Sequence, residues 1–139
     1  MIREFNFARD LDAVIALWQS AGPGIHLGPS DTPEEIAKKL TRDPDLFLVA
    51  EAEGRIVGAV IGGFDGRRGA VYHLAVAPEY RGRDIGTALM NEVDSRLKAK
   101  GCLKYQLFIA SDNAEVVGFY QKLGWQVRHD LTMMSKVIE

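Results

Sequence analysis

The segment Pro78-Glu79-Tyr80-Arg81-Gly82-Arg83-Asp84-Ile85-Gly86-Thr87-Ala88-Leu89 places two glycines and two arginines where an apolar run passes into a helical pattern. A strand-to-helix turn of this composition suits an anion, because unpaired backbone N–H groups and the positive end of the helix dipole converge on it. Arg81 and Arg83 would add full positive charge beside those groups. The turn is neither a Walker loop, which needs a Gly-Lys pair, nor a dinucleotide fingerprint, since no G-x-G-x-x-G occurs. Taken alone, it reads equally as a solvated loop with Asp84 as a helix N-cap.

A second cluster lies in Asp112 to Leu123. Asp112 and Glu115 have capping-box spacing, so one helix is expected to start there, with Asn113 in its first turn. Tyr120 follows Asn113 by seven residues, which at about 100° per residue falls ~20° short of two turns and ~10.5 Å along the axis. Both side chains would share one face, at a separation that suits an extended ligand. The same residues also fit a structural role in which Asn113 caps and Tyr120 packs with Val116, Val117 and Leu123.

The elements that would position these clusters follow from periodicity. Ile2 to Asn6 reads as a strand, and Leu11, Val14, Ile15, Leu17 and Trp18 recur at helical spacing within Arg9 to Ser20. Gly22 to Pro33 is a glycine- and proline-rich loop, and Thr32 opens a second helix with Pro33 in its first turn. Leu46 to Glu51, Arg55 to Phe64 and Ala70 to Val76 form an antiparallel meander through turns at Glu53-Gly54 and Asp65-Gly66. Ile85, Leu89, Val93 and Leu97 then mark a helix that stops at Gly101. Leu103 to Ala110 is another strand, and a strand, helix and strand in this order form a parallel crossover, so the sheet is mixed. Trp125 to Ile138 is expected to supply one or two closing strands.

Composition limits the function classes. The 139 residues, 47% hydrophobic and 26% charged, are those of one globular domain spanning 1–139. Lys and Arg number 17 against 19 Asp and Glu, a net charge of −2 that disfavours nucleic acid as a partner. Ile56 to Phe64 is too short and too glycine-rich to cross a bilayer, and the first ten residues lack a signal-peptide pattern. Cys102 is the single cysteine and no Cys/His spacing resembles a zinc site, which points to a cytoplasmic protein without metal.

Read together, "LAVAPEYRGRDIGTALM" (Leu74 to Met90) and "SDNAEVVGFYQKLGW" (Ser111 to Trp125) resemble the two signature segments of the GCN5-related N-acetyltransferases, the GNAT family. "DLFLVAEAEGRIVGAVIGGFDGRRG" and the closing "MMSK" are similar to the family's central hairpin and last strand, especially in small bacterial YpeA-type members. The resemblance implies a mixed, mostly antiparallel α/β sheet with one parallel crossover and about four helices on both faces. It also implies transfer of an acetyl group from acetyl-CoA to a primary amine by direct attack in a ternary complex. Leu74, Ala75 and Val76 would hold the pantetheine arm like an added strand and supply an N–H to the thioester carbonyl, while Arg81, Gly82, Arg83, Asp84, Ile85, Gly86 and Thr87 would hold the pyrophosphate. Asn113 would bond the pantetheine arm, and Tyr120 would reach the sulfur as general acid. Asp84 departs from the family pattern, which has glycine there. A non-catalytic acyl-CoA-binding module is the alternative that this departure favours.

An acceptor amine must lose a proton before it attacks. Phe108 stands where some relatives carry a glutamate, so His73, beside the turn, is the candidate base, ahead of His26 and His129. A histidine in a strand also commonly just packs. By resemblance, acceptor specificity resides in Gln19 to Asp31 and Arg128 to Asp130, neither of which names the amine, and pairing into a homodimer through the sheet edge or last strand is a further implication.

Overall fold

In a computed structural model describing residues 1–139, Leu46, Phe47, Leu48 and Val49 are all completely buried, as expected of a run covered on both faces. One sheet carries five strands in chain order: β1 (Ile2–Glu4), β2 (Phe47–Ala52), β3 (Arg55–Phe64), β4 (Gly69–Val76) and β5 (Tyr105–Leu107). Successive pairs from β1 to β4 are antiparallel, whereas β4 and β5 are parallel and joined through helix α3 (Ile85–Ala99). The expected mixed sheet with a single parallel crossover is therefore present.

Helices α1 (Phe7–Ser20) and α2 (Pro33–Arg42) lie over one face and α3 over the other. Trp18 of α1 stacks on Phe47 of β2, with ring centroids 6.1 Å apart. On the opposite face Gly58 of β3 lets α3 approach closely: a Cβ there would lie 3.0 Å from the side chains of both Ile85 and Leu89. Helix α4 (Val117–Lys122) sets the Phe119 ring against Gly86 in the first turn of α3. No helix is long and apolar enough to cross a membrane.

Several boundaries differ from expectation. β1 ends at Glu4 because Asn6 caps α1, its side chain accepting the Arg9 N–H at 2.9 Å. β5 spans three residues in place of Leu103 to Ala110, because β4 turns away from it beyond Val71. The single helix expected over Asp112 to Leu123 is instead a 3₁₀ turn, Ser111–Val116, followed by α4, with Asn113 non-helical at φ −124°. No capping box forms there, because the Asp112 carboxylate bonds His26 at 3.1 Å. The closing strands expected from Trp125 to Ile138 are absent. Trp125 packs against Tyr105 and Tyr120, and everything beyond it is exposed, with Arg128 and Asp130 paired to each other. The three-residue edge of β5 offers little register for another strand.

The joint between β1 and α1 is electrostatic. Arg3 forks onto both oxygens of Asp10 at 2.7 and 2.9 Å and reaches Glu51 at 2.6 Å, while Asp10 also accepts the Asn6 N–H at 2.8 Å. The Arg3 hydrogen bonds, reinforced by the Asn6 N–H, hold the Asp10 carboxyl below its ordinary range despite burial. Unfolding restores ordinary proton affinity, so this stabilisation is present above the carboxylate range and lost as the pH falls through the depressed folded value. Asp10→Asn removes the forked ion pair and leaves Arg3 with Glu51 as its remaining carboxylate, and is expected to cost about 2 kcal/mol. Denaturant titrations at pH 7 and pH 3 check this: the deficit should be large at pH 7 and shrink on acidification.

Candidate active site

A bulge in β4 creates the site. Ala59 faces Ala75 and Ile61 faces Tyr72, so one residue of β3 opposes two of β4, His73 and Leu74. His73 takes φ +51°, and the parallel register with β5 ends at Val71 and Leu107. Past the bulge β4 keeps β3 as a neighbour and has none on its other edge. The Ala77 N–H bonds the Val57 carbonyl at 2.8 Å, and bonding alternates along an antiparallel strand. Ala75 therefore also faces β3, while Val76 turns its N–H group into the split. Of the three strand residues named from the resemblance, Val76 turns its N–H to the open edge and Ala75 turns its N–H to β3.

The glycine-arginine turn lies at the end of this open edge. Gly82 and Asp84 adopt φ +77° and +62°, and the first helical bond runs from the Ala88 N–H to the Asp84 carbonyl at 3.0 Å. The N–H groups from Gly82 through Thr87, including those of Arg83, Ile85 and Gly86, consequently have no acceptor in the protein. Consecutive N–H groups around left-handed residues form a concave anion-binding nest. Asp84 occupies the N-cap position, yet its exposed carboxylate caps nothing.

The two arginines differ in use. Arg81 donates from Nε to the Val76 carbonyl at 3.2 Å and from a terminal nitrogen to the Ala21 carbonyl, so it braces the end of α1 against the split strand. Arg83 lies over the Tyr80 ring at 4.8 Å, exposed beside the nest. The Tyr80 hydroxyl donates to Glu53 at 2.9 Å, which pushes its pKa up and anchors the ring.

Where β4 and β5 part, a cleft of about 50 Å³ is lined by His73, Leu74, Ile109, Asn113 and Tyr120, with Gly24 and Ile25 from the loop after α1. The kinked 3₁₀ turn and α4 together bring Asn113 and Tyr120 to one cavity, which a continuous helix was expected to do. Tyr120 is buried against Phe119 and Trp125, with centroids 5.0 and 5.9 Å apart, and burial alone pushes its phenol up to about 12. Asn113 is covered by Gly24, where a Cβ would come within 2.4 to 2.8 Å of the amide side chain. His73 Nε2 lies 2.8 Å from Asp31 Oδ1, and the ring packs edge-on to Trp18 at 5.1 Å.

Gly24, Ile25 and Asp31 all lie within Gln19 to Asp31, the stretch to which the resemblance assigns acceptor specificity, but nothing in the sequence marks any of the three individually. The loop's Gly/Pro content marked its irregular path, but its docking across the split depends on contacts with Asn113 and His73, far along the chain. A larger groove of about 760 Å³ runs between α1 and the β2–β3 turn. Its arginines, Arg3, Arg9 and Arg55, are engaged by Asp10, Glu51 and Glu79, so no cation is left over for a ligand.

Comparison with known proteins agrees with this architecture. The chain is 45% identical over 131 residues to an acetyltransferase of Pectobacterium atrosepticum, covering 94% of this chain and 91% of that protein. It is 43% identical over 128 residues to an acetyltransferase of Sodalis glossinidius, covering 91% and 88%. Among solved structures, Ard1 from Thermoplasma volcanium superposes with a TM-score of 0.79 at 26% identity, over 92% of this chain and 83% of that one. The PaiA N-acetyltransferase of Thermoplasma acidophilum, solved in complex with coenzyme A, gives 0.79 at 23% identity over 92% and 90%. The family model of the GNAT acetyltransferases matches residues 11–125, and with the parted strands and the N–H nest already described, the chain belongs to that family.

Proposed function

We propose that the protein is an N-acetyltransferase that moves the acetyl group of acetyl-CoA to a primary amine bound in the same ternary complex. The observation that carries this reading is the continuity of the free edge of β4 with the N–H nest at Gly82 to Thr87. An elongated thioester with a pyrophosphate at one end has amide groups for the first and phosphate oxygens for the second, and both sets of donors here are unpaired. Membership in the family and the coenzyme A bound to the PaiA neighbour support the same donor.

His73 takes a proton from the acceptor ammonium, freeing the nitrogen lone pair to form the C–N bond at the thioester carbon. A Leu74 or Val76 N–H stabilises charge on the carbonyl oxygen. As the C–S bond breaks, its electron pair passes to sulfur, and Tyr120 offers its hydroxyl proton there. The new amide nitrogen sheds its extra proton, which restores the tyrosine, and the net release is one proton.

A phenol near 12 holds its proton across the whole neutral range. It is a mismatched acid for a thiol of pKa about 8.5 in water, but a thiolate formed in the same buried cleft is also denied solvation, which raises its basicity. Tyr120 therefore acts first as a hydrogen-bond donor to the departing sulfur and transfers its proton as charge builds.

A panel of amines with acetyl-CoA, followed by thiol release, tests the activity, and no accepted amine would overturn it. With an acceptor in hand, Tyr120→Phe should retain acetyl-CoA affinity and stability while turnover falls about 10²-fold or more. Unreduced turnover would remove the general-acid role. Because the native phenol loses its proton only near pH 12, no decline in turnover attributable to Tyr120 is expected between pH 7 and pH 10. A decline there that vanishes in Tyr120→Phe would contradict this.

Asp84 sets a carboxylate among N–H groups that phosphate would use. Asp84→Gly should tighten acetyl-CoA by about 1 kcal/mol, roughly fivefold, as expected for one charge at a helix N-terminus. Calorimetric titration reads the change, and equal or weaker binding would mean that the carboxylate stands clear of the phosphates.

A further inference from the structure

His73 has one engaged nitrogen and one free. Its Nε2 lies 2.8 Å from Asp31 Oδ1, with both side chains largely buried. The other Asp31 oxygen accepts the Gly28 N–H at 3.0 Å, so the carboxylate is held at both oxygens within the short 3₁₀ turn Pro29–Asp31. An ionised carboxylate accepts hydrogen bonds and donates none. Nε2 must therefore carry a hydrogen, and in the neutral ring the lone pair then sits on Nδ1. The opposite tautomer would set that lone pair against the carboxylate oxygen. Trp18 packs beside the ring, but its indole N–H bonds to nothing, so it does not occupy Nδ1.

The backbone adds to the constraint. His73 stands at φ +51° in the bulge that parts β4 from β5, a conformation costly for a residue with a side chain and one that persists where the surroundings impose it. The imidazole lines the same cleft as Tyr120. We propose that Asp31 is a positioning residue that holds His73 as the Nε2–H tautomer and leaves Nδ1 as the atom that takes the acceptor's proton. The inference rests on the acetyltransferase reading with His73 as base, and it adds a residue from the loop that docks across the split to the machinery of the transfer. The proton moves from the acceptor nitrogen to Nδ1 and Asp31 stays ionised throughout, as in other carboxylate–histidine pairs.

The test is a long-range ¹H–¹⁵N correlation spectrum of the imidazoles of uniformly ¹⁵N-labelled full-length protein, recorded at alkaline pH. The chain has three histidines, and the His73 signals are those lost in His73→Gln. His73 is expected to show a protonated Nε2 and a lone-pair Nδ1. In Asp31→Asn, whose amide can donate as well as accept, a second tautomer should appear. With any accepted amine, kcat should fall at least tenfold while the KM for acetyl-CoA stays unchanged, and Asp31→Glu, which keeps a carboxylate, should recover part of both the spectrum and kcat. A wild-type His73 protonated at Nδ1, or an Asp31→Asn variant with an unaltered tautomer or an unaltered kcat, overturns the inference. If Asp31→Asn does not fold, Asp31→Glu alone decides, since loss of the single tautomer with retained kcat also overturns it. The spectrum requires no acceptor, so an amine panel without any acceptor defeats the acetyltransferase reading separately, while the spectrum still decides whether Asp31 fixes the ring.

Discussion

A β-strand that keeps one neighbour while losing the other must leave its freed backbone groups in water or give them to a ligand, and β4 faces this constraint at His73. Had β4 continued beside β5 without the bulge, the alternation that turns the Gly69 N–H to the Lys104 carbonyl would have given the His73 and Ala75 N–H groups to the sheet; the extra residue shifts that alternation and leaves the Val76 N–H on the open edge. One extra residue in β4 opposite β3 diverts the strand without breaking the antiparallel ladder, so the sheet stays whole on one side and opens on the other. The loop after α1, α4 and the glycine-arginine turn all stand around that opening. Arg81 ties two of these parts together, since its guanidinium joins the Val76 carbonyl to the Ala21 carbonyl.

What the sequence made legible was whatever depends on local pattern. The fully apolar Leu46 to Val49, the Asp65-Gly66 turn and the four-residue recurrence of Ile85, Leu89, Val93 and Leu97 each specify their element within a few residues, and those elements formed as read. The nest was legible too, since glycine spacing and a helix start are both local. The errors share a different cause. Asp112 has the spacing of a capping residue but bonds His26, a partner 86 positions away, and the helix begins later as a result. β5 is short because of a bulge in β4, not because of anything between Leu103 and Ala110. The pairing of His73 with Asp31 was illegible for the same reason: neither residue carries a mark of the other, and only the docking of the loop across the split brings them together.

Polarity changes from one end of the site to the other. At the nest the donors are exposed backbone N–H groups beside Arg83, suited to a strongly hydrated anion that exchanges one set of hydrogen bonds for another. At the split the surroundings become aromatic, with Trp125 and Phe119 against Tyr120 and Trp18 against His73. Low dielectric there weakens every ionised group that lacks a partner, which keeps the Tyr120 phenol protonated. The same environment strengthens each hydrogen bond that is made, so a donor aimed at developing charge accomplishes more than it would in water. Exposed N–H donors and an aromatic, buried cleft thereby stand at opposite ends of one strand edge.

Asp84 fits this division less simply. The left-handed turn at φ +62° requires glycine or a short polar side chain, and aspartate is among the residues that tolerate it. A negative charge beside the first turn of α3 is also favourable to that helix while no ligand is bound, because it answers the same dipole that attracts phosphate. The carboxylate thus stabilises the free turn by the interaction that the bound anion would use, and a ligand must displace or outbid it. Arg83, stacked on Tyr80 and not ion-paired, is the nearby cation able to shift toward either charge. The turn therefore retains the backbone geometry of an anion site while the Asp84 carboxylate and the Arg83 guanidinium set its charge closer to neutral.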